Sequence, residues 1–360
     1  MQIILSREDM SRMEELKKTQ ERNGRALEMT SAYLIRRPRW VTAADVETVA
    51  ACGVTDEQAY TALMAAGMGL DEQDNPEDKA IGLDYVAPSI RQLDAETYRS
   101  DPYFRNIRVP EKRVGDWALG RKEYEPYEAF VRADMRIYAD FREVAQVGFF
   151  PERFSYPCVS EKGREWMTVT PNEVETMKGA LAQARGDAAA FGLGLGYFAY
   201  MASEKTEVRS VTVVERDEAV IELFREHILP QFAHADKIRI AQADAFDFAA
   251  RGMRFDTAFV DLWHDVSDGA EMYIKMKKME RLSPDTRFDY WIETGILSFL
   301  RFHVFWYLDA ELSGQGDGRL DDLLGISRIS DFETIEELLS NRALRKLAER
   351  LDSIGLLTGE

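Results

Sequence analysis

Between residues 188 and 293 the sequence alternates between short apolar segments and longer amphipathic segments. The apolar segments predict strands at 188–193, 210–215, 238–241, 255–261 and 288–293, and the amphipathic segments predict helices at 197–204, 217–228 and 271–282. Strands that alternate with helices favour a parallel sheet, because each return to the same edge needs a crossover connection. The pattern therefore predicts an α/β fold with a doubly wound, mostly parallel sheet.

The flanking segments have different patterns. Residues 1–143 are predicted as a helical N-terminal domain, although the Tyr- and Arg-rich stretch 98–142 gives no clear pattern. Residues 144–186 are predicted as a β-hairpin connector and a lead-in helix, which begins with a capping box at Thr170–Glu173. Residues 187–312 form the Rossmann-like domain, and residues 313–360 form a helical C-terminal tail. No strand is predicted after residue 293, so the sheet is expected to end there.

Charge and composition exclude several classes of function. The net charge of -18 disfavours general binding to nucleic acid, since an acidic surface repels phosphates. The two cysteines, Cys52 and Cys158, form no CxxC pair, so no zinc site is indicated. The apolar stretch 295–308 is interrupted by Arg301 and His303 and is shorter than the ~20 residues of a membrane helix. We expect a cytoplasmic protein that acts on a small molecule, and the oligomeric state stays open, a homodimer included.

A glycine-rich turn follows the first predicted strand, in the order Gly192-Leu193-Gly194-Leu195-Gly196. Glycine lets the backbone approach a ligand closely and adopt dihedral angles that other residues avoid. The next strand ends at Glu215, near the ~20-residue spacing at which a carboxylate accepts hydrogen bonds from a ribose. The alternative is that Glu215 is a solvated strand end or the partner of an arginine.

The third strand leads into Asp244-Ala245-Phe246. A carboxylate at this position suits the amino group of an adenine, and the aromatic ring of Phe246 suits one of its faces. The alternative for Asp244 is an ordinary helix N-cap, since Asp is favoured there.

Residues 188–265 resemble the core of class I S-adenosylmethionine-dependent methyltransferases and are also similar to the related spermidine-synthase-like group. The resemblance implies that the turn from Gly192 to Gly196 holds the methionine part of S-adenosylmethionine. It also implies that Glu215 holds the ribose and Asp244 the adenine. Two departures stand out: Ala190 occupies a position where many methyltransferases have an acid, and the last two strands are missing.

The fourth strand ends in Asp261, with His264 and Asp265 close behind, and these three residues are the predicted catalytic group. Ligands of open α/β sheets bind beyond the carboxyl ends of the strands. Asp261 or His264 is therefore the candidate base that removes a proton from the substrate. No metal is predicted from these residues and Asp268, because their spacing matches no fixed ligand pattern.

Further side chains are second-tier candidates. Glu293 ends the fifth strand at the same edge of the sheet, its alternative being an acid that stabilises the N-terminus of the next helix. The aromatic residues Trp166, Tyr156 and Tyr197 are candidates for the pocket entrance, although aromatic side chains more often belong to the core.

These observations favour methyl transfer from S-adenosylmethionine to an unidentified small molecule or peptide. Aminopropyl transfer is the second enzyme hypothesis, although the spermidine synthase pattern of Gly-Gly-Gly-Asp-Gly is not matched by the turn. Binding of NAD is a third, because Gly194–Ala199 also fits G-x-G-x-x-A. A cofactor-binding protein without catalytic activity is the fourth.

Overall fold

The computed structural model describes residues 7–252, 254–316 and 334–351. The helices are α1 (Arg7–Arg36), α2 (Ala43–Ala50), α3 (Asp56–Gly67), α4 (Pro76–Ile81), α5 (Ala87–Ser89), α6 (Ala95–Arg99), α7 (Pro102–Asn106), α8 (Pro171–Gln183), α9 (Tyr197–Ser203), α10 (Glu218–Leu223), α11 (Ala245–Ala249), α12 (Val266–Glu280), α13 (Glu293–Leu312), α14 (Ile335–Leu338) and α15 (Asn341–Ala348). The strands are β1 (Ile90–Gln92), β2 (Lys112–Val114), β3 (Trp117–Tyr124), β4 (Phe130–Ile137), β5 (Glu143–Phe149), β6 (Phe154–Glu161), β7 (Arg164–Thr168), β8 (Gly186–Phe191), β9 (Val208–Glu215), β10 (Ile238–Gln242), β11 (Thr257–Val260) and β12 (Arg287–Tyr290). π-Helical turns join α4 to α5 and follow α10.

The central sheet has five strands in the order β10-β9-β8-β11-β12, and every neighbouring pair is parallel. Strands β8 and β11 are buried almost throughout, as expected for strands covered on both faces. From the central strand β8 the chain adds β9 and then β10 towards one edge of the sheet. It then crosses back to add β11 on the opposite side of β8 and β12 beside it. Because such crossovers are right-handed, α9 and α10 cover one face and α11 and α12 the other. The predicted doubly wound α/β fold is confirmed.

The N-terminal region contains strands that the sequence did not reveal. Strand β1 pairs with β5, which also pairs with β4, and β2 and β3 join β6 and β7 in a four-stranded sheet. The expectation that residues 1–143 are helical is therefore wrong between residues 112 and 137, where β2, β3 and β4 lie. In β3 only Trp117 and Leu119 are fully buried, while Arg, Lys and Glu fill the exposed positions. These long polar side chains hid the alternation that would have predicted a strand.

The β-hairpin expected between residues 144 and 186 is present, since β6 and β7 pair as antiparallel neighbours. The helix after it begins at Pro171, with Thr170 at the N-cap. The predicted capping box is wrong, because the Thr170 side chain makes no cap hydrogen bond and Glu173 is buried instead of reaching back. Tertiary packing has turned this first-turn acid towards the core.

Helix α13 explains how an arginine interrupts the most apolar stretch of the chain. The Arg301 side chain is buried and donates hydrogen bonds to the Leu339 carbonyl, the Glu143 carboxylate and the Asn341 side chain. It therefore ties α13 to β5 and to the segment around α15. None of the helices in the described ranges is long and apolar enough to cross a membrane.

No strand follows β12 within residues 293–316 and 334–351, where helices α13, α14 and α15 lie. The expected end of the sheet after the fifth strand is confirmed for these residues. The remaining residues of the predicted C-terminal tail, 317–333 and 352–360, lie outside the described part of the chain.

Candidate functional site

A cavity of about 250 Å³ lies at the carboxyl edge of the central sheet, where the chain continues from β8 towards one side of the sheet and from β11 towards the other. This is the point at which the strand order reverses, and open α/β sheets bind ligands there. The cavity is lined by nine of the eleven residues that the sequence predicted: Gly192, Leu193, Gly194, Glu215, Asp244, Ala245, Phe246, Asp261 and His264. Gly196 and Asp265 do not line it. The edge of the sheet thus brings together most of the predicted site.

The glycine turn has a tight backbone. Gly192 has φ of 96°, and a Cβ atom there would lie less than 3.0 Å from the Asp261 carbonyl oxygen. Gly194 has φ of 50°, and a Cβ atom would lie 2.8 Å from the Met167 methyl carbon. Gly192 therefore requires glycine because of the backbone that follows the neighbouring strand, whereas Gly194 is favoured by its positive φ, since the flexible end of Met167 is able to move aside.

Gly196 has a different role from the one predicted. It also has positive φ, of 73°, but a Cβ atom there would collide with the ring of Phe224. Its missing side chain allows α9 to pack against the π-helical turn after α10. The G-x-G-x-x-A hypothesis for NAD requires the backbone at Gly196 to face the ligand, and this position does not support it.

Glu215 ends β9 beside the glycine turn. One of its carboxylate oxygens accepts a hydrogen bond from the Leu193 amide at 3.2 Å. The other accepts hydrogen bonds from the Arg216 and Asp217 amides at 2.8 and 2.9 Å. These bonds fix the carboxylate at the cavity wall and join the ends of β8 and β9. The oxygen that accepts from Leu193 has a further lone pair with which to accept a hydrogen bond from a hydroxyl group, whereas the other oxygen already accepts two.

Asp244 also lines the cavity and is the N-cap of α11, as the alternative interpretation of this residue predicted. Its Oδ1 atom caps α11 by accepting hydrogen bonds from the Phe246 and Asp247 amides at 2.8 and 3.1 Å. The cap fixes the orientation of the carboxylate, whose residue also lines the cavity. The Lys275 ammonium lies 4.0 Å from the Phe246 ring centre, so a cation covers one face of this ring. Only its other face is open to a flat ligand.

Asp261 follows β11 directly and is 92% buried in the structure, with its backbone amide bonded to the Phe191 carbonyl at 2.9 Å. Its Oδ1 atom is enclosed and has no hydrogen-bond partner among the described residues. Burial raises the pKa of Asp261 to about 7, since a desolvated carboxylate is disfavoured. A carboxyl group with this pKa is able to give or take a proton near neutral pH.

His264 lies on the same loop and is held by Asp268. Its Nδ1 atom is 3.2 Å from the Asp268 carboxylate, which also accepts a hydrogen bond from the His264 amide. The ring packs edge-on against Trp166, with 3.9 Å between ring centres. The other ring nitrogen, Nε2, is buried and has no partner in the part of the chain that the structure describes. A carboxylate that orients one nitrogen leaves the opposite nitrogen ready to accept a proton.

Asp265 does not join this group. Its carboxylate accepts hydrogen bonds from the Ser267 amide and hydroxyl at 2.7 and 2.5 Å. Together with Asp268 it forms the capping box at the start of α12. The structure therefore gives Asp265 the position of a helix cap instead of a catalytic position. Over residues 7–252, 254–316 and 334–351, no group of three or more His, Cys, Asp or Glu residues is arranged to hold a metal ion.

The second-tier candidates differ in whether they line the main cavity. Trp166 lines the cavity, together with Met167, because β7 lies over the glycine turn. Tyr197 donates a hydrogen bond to Asp101 and lines a separate cavity of about 20 Å³ instead of the main one. Glu293 is bonded to Arg345 and accepts a hydrogen bond from Tyr273, away from the main cavity.

Several residues of the cavity wall were not predicted. Met167, Leu262 and Trp263 line it, and the Trp263 indole nitrogen is buried without a partner among the described residues. The sequence contains no signal for Met167, because only the pairing of β6 with β7 places it over the turn. Trp263 lies between two predicted site residues, Asp261 and His264, and this position in the sequence could have predicted that it lines the cavity.

Comparison with known proteins gives a likeness to a solved structure but none at the level of sequence families. No protein-family model matches the sequence, and no curated protein matches it. Over 44% of its length the chain is similar to the structure of spermidine synthase from Thermotoga maritima, with 13% sequence identity and a TM-score of 0.29. The matched segment covers 62% of that chain, which is less than two thirds of its length. The likeness is one of fold over a segment of each chain.

Proposed function

We propose that this chain binds S-adenosylmethionine in the cavity at the sheet edge and transfers its methyl group to a small molecule or peptide. The observation that supports the proposal is the meeting of the Gly192–Gly194 turn with Glu215 and Asp244 at neighbouring strand ends. This arrangement offers a close backbone approach beside two fixed carboxylates. Asp261, Trp263 and His264 also line the cavity, and each has a buried polar atom without a partner among the described residues, which suits a polar ligand.

In this proposal the two carboxylates orient the nucleoside. Glu215, already fixed by three backbone amides, accepts a hydrogen bond from a ribose hydroxyl with its remaining lone pair. Asp244 uses Oδ1 for its helix cap and offers Oδ2 to the adenine amino group. The open face of Phe246 packs against the adenine ring, because Lys275 covers the other face.

The bound cofactor supplies a methyl group on a positively charged sulfur. The chain's own contribution is to place a nucleophile opposite this methyl group and to remove its proton. His264 is the proposed base, because Asp268 orients its ring and leaves Nε2 without a partner. Trp166 and Met167 lie over the glycine turn and keep water from the reacting atoms.

Calorimetric titration with S-adenosylhomocysteine tests the proposal. We expect the wild type to bind and Glu215→Ala to lose roughly 1.5–3 kcal/mol of binding free energy, the range for hydrogen bonds to a charged group. Glu218→Ala is the matched control, since Glu218 is an exposed acid three residues later that does not line the cavity. Circular dichroism establishes that each variant is folded. Equal affinity of the wild type and a folded Glu215→Ala variant would contradict the assigned ribose contact.

Aminopropyl transfer to an amine is the second candidate, favoured by the unpartnered Asp261 carboxylate in the cavity. In this reaction the neutral amine forms a new C–N bond, the C–S bond of decarboxylated S-adenosylmethionine breaks, and methylthioadenosine leaves. One proton of the attacking amine passes to the Asp261 carboxylate. Incubation with decarboxylated cofactor and putrescine, followed by mass spectrometry, tests for spermidine. A parallel incubation with S-adenosylmethionine and a peptide mixture tests for methylated products.

A further inference from the structure

A further cavity, of about 360 Å³, shares no lining residue with the main cavity. We call it the arginine cavity, because it is lined by Arg99, Phe104, Arg121, Glu123, Arg153 and Ser155. Its volume falls in the range of ~300–1,000 Å³ that is usual for small-molecule sites. The arginine cavity is therefore large enough for an organic ligand.

The pairing of two strands and one short helix brings these side chains together. Strand β3 pairs with β6 so that Glu123 lies opposite Ser155. Residues two positions apart in a strand lie on the same face, so Arg121 shares this face with them. Helix α6 adds Arg99, whose guanidinium donates a hydrogen bond to the Arg153 carbonyl at 3.0 Å. Three arginines from separate segments thus meet at one place.

The charge of the arginine cavity is opposite to that of the whole chain. Its three arginines and one glutamate leave two positive charges among the lining residues, whereas the chain has a net charge of -18. Like charges brought together repel one another, and an acidic surface repels anions elsewhere on the protein. The arginine cavity is therefore a local region that attracts anions.

Arg121 has the least compensated of these charges. Its guanidinium donates hydrogen bonds to the Ser155 hydroxyl and carbonyl at 3.1 and 3.0 Å, and it forms no ion pair with a carboxylate among the described residues. Desolvation lowers the pKa of Arg121 below its usual range, and the positive charge of Arg108 lowers it further. An anion bound in the cavity would relieve both effects. The Ser155 hydroxyl, which accepts from Arg121, still has its own proton to donate to such an anion.

The other two arginines are held in place by ion pairs at the surface. Arg99 pairs with Glu152 at 3.0 Å, and Arg153 pairs with Glu125 at 2.8 Å and with Glu123 at 3.5 Å. Exposed ion pairs contribute little to stability, so their carboxylates orient the guanidinium groups without neutralising them fully. Each guanidinium also has more N–H groups than these bonds use. Both arginines are therefore able to bind an anion from the positions that they already occupy.

We infer that the arginine cavity is a binding site for the phosphate group of a small phosphorylated molecule. A phosphate monoester has about two negative charges near pH 7, which match the two positive charges of the lining residues. Guanidinium groups also match the spacing of phosphate oxygens. Arg121 and the Ser155 hydroxyl contact the phosphate, and Arg99 and Arg153 balance its remaining charge. The half-buried ring of Phe104 packs against the organic part of the ligand.

Calorimetric titration with phenyl phosphate, near neutral pH and at low salt, tests this inference. The compound combines a phosphate for the arginines with a ring for Phe104. We expect saturable binding of one equivalent, and about tenfold weaker binding of benzenesulfonate, which has a similar shape but a single negative charge. Inorganic phosphate should compete with phenyl phosphate for the same site. Added sodium chloride should weaken binding, because salt screens the attraction between charges.

Substitutions assign the binding to this cavity. Arg121→Gln should weaken the binding of phenyl phosphate about tenfold, and Arg153→Gln, at an exposed position before β6, is the second variant and should also weaken it. Phe104→Leu should weaken the binding of phenyl phosphate and leave that of inorganic phosphate unchanged. Arg113→Gln is the matched control, since Arg113 is an exposed arginine of β2 that does not line the cavity. Circular dichroism establishes that each variant is folded.

Two results would overturn the phosphate site. One is the absence of saturable binding of both phenyl phosphate and inorganic phosphate to the folded wild type, up to about 10 mM. The other is an equal loss of affinity in Arg113→Gln and Arg121→Gln, since the binding would then reflect general attraction between charges. None of these titrations contains S-adenosylmethionine or a related nucleoside. The phosphate site and the proposed methyl transfer therefore stand or fall separately.

Discussion

Substitution of Gly192 by alanine tests whether the site turn is built as the structure indicates. The Gly192 amide donates to the Val214 carbonyl at 3.0 Å, and the next strand is fixed by the bond from the Asp261 amide to the Phe191 carbonyl at 2.9 Å. A new Cβ atom would lie less than 3.0 Å from the Asp261 carbonyl oxygen, which is backbone and cannot rotate away. The turn or the start of the Asp261 loop must therefore move.

Two costs add at this position. A side chain at φ of 96° is strained, which costs about 1–3 kcal/mol for a non-glycine residue in a sparsely populated region. Forcing a methyl group into a filled space costs a further 1–3 kcal/mol or so. We therefore expect Gly192→Ala to lower the free energy of unfolding by roughly 2–6 kcal/mol. The displacement also moves the Leu193 amide away from Glu215, so affinity for S-adenosylhomocysteine should fall.

Urea denaturation followed by circular dichroism measures the change in stability, and calorimetry measures the affinity. Gly179→Ala is the matched control, since Gly179 lies in the interior of α8 and a Cβ atom there meets nothing within 4 Å. We expect this control to gain about 0.5–1 kcal/mol of stability, the usual advantage of Ala over Gly in a helix. A Gly192→Ala protein as stable as the wild type would refute the clash on which the argument depends.

Arg301→Met should lower the free energy of unfolding by about 3–5 kcal/mol in urea, because it leaves Glu143 buried without its partner. The double variant with Glu143→Leu should lose less than the sum of the two single variants, and strict additivity would argue against the buried ion pair. Asp265→Ala should cost about 0.5–2 kcal/mol of stability through loss of its cap, with affinity for S-adenosylhomocysteine unchanged. Weaker binding at full stability would restore its predicted place in the site. Burial raises the pKa of Asp261 to about 7 in the folded chain, so its stabilising contribution is complete below about pH 4 and is lost as pH rises through about 7. Melting temperatures of the wild type relative to Asp261→Asn should therefore fall over this range, and a constant difference would contradict the raised pKa.

Much of the central sheet follows from local sequence patterns. Buried parallel strands are continuous apolar runs, and helices have their own period, so the alternation from residue 188 onward was sufficient to predict the doubly wound sheet. The same holds for the Gly192–Gly194 turn, Glu215 and Asp244. Residues that directly follow parallel strands necessarily meet at one edge, so their order in the chain predicts that they share a cavity.

The sequence was less informative wherever a contact joins distant segments. Strands β2 and β3 have Arg, Lys and Glu at their exposed positions, so no clear alternation of apolar and polar residues marks them in the sequence. Among the acids of the site, only the fold distinguishes Asp265, which caps α12, from Asp268, which orients His264. Both have the same chemistry in sequence, and their roles differ because of the direction in which the loop turns.

Glu173 shows this division most clearly. The sequence determined that an acid stands in the first turn of a helix, and local chemistry predicted a capping box there. Only the tertiary structure turned that carboxyl group inward. Burial there, together with the charge of Asp261 from a distant part of the sequence, raises its pKa. Helix caps and strand periods depend on neighbouring residues, whereas the burial of a charge depends on what the rest of the chain packs around it.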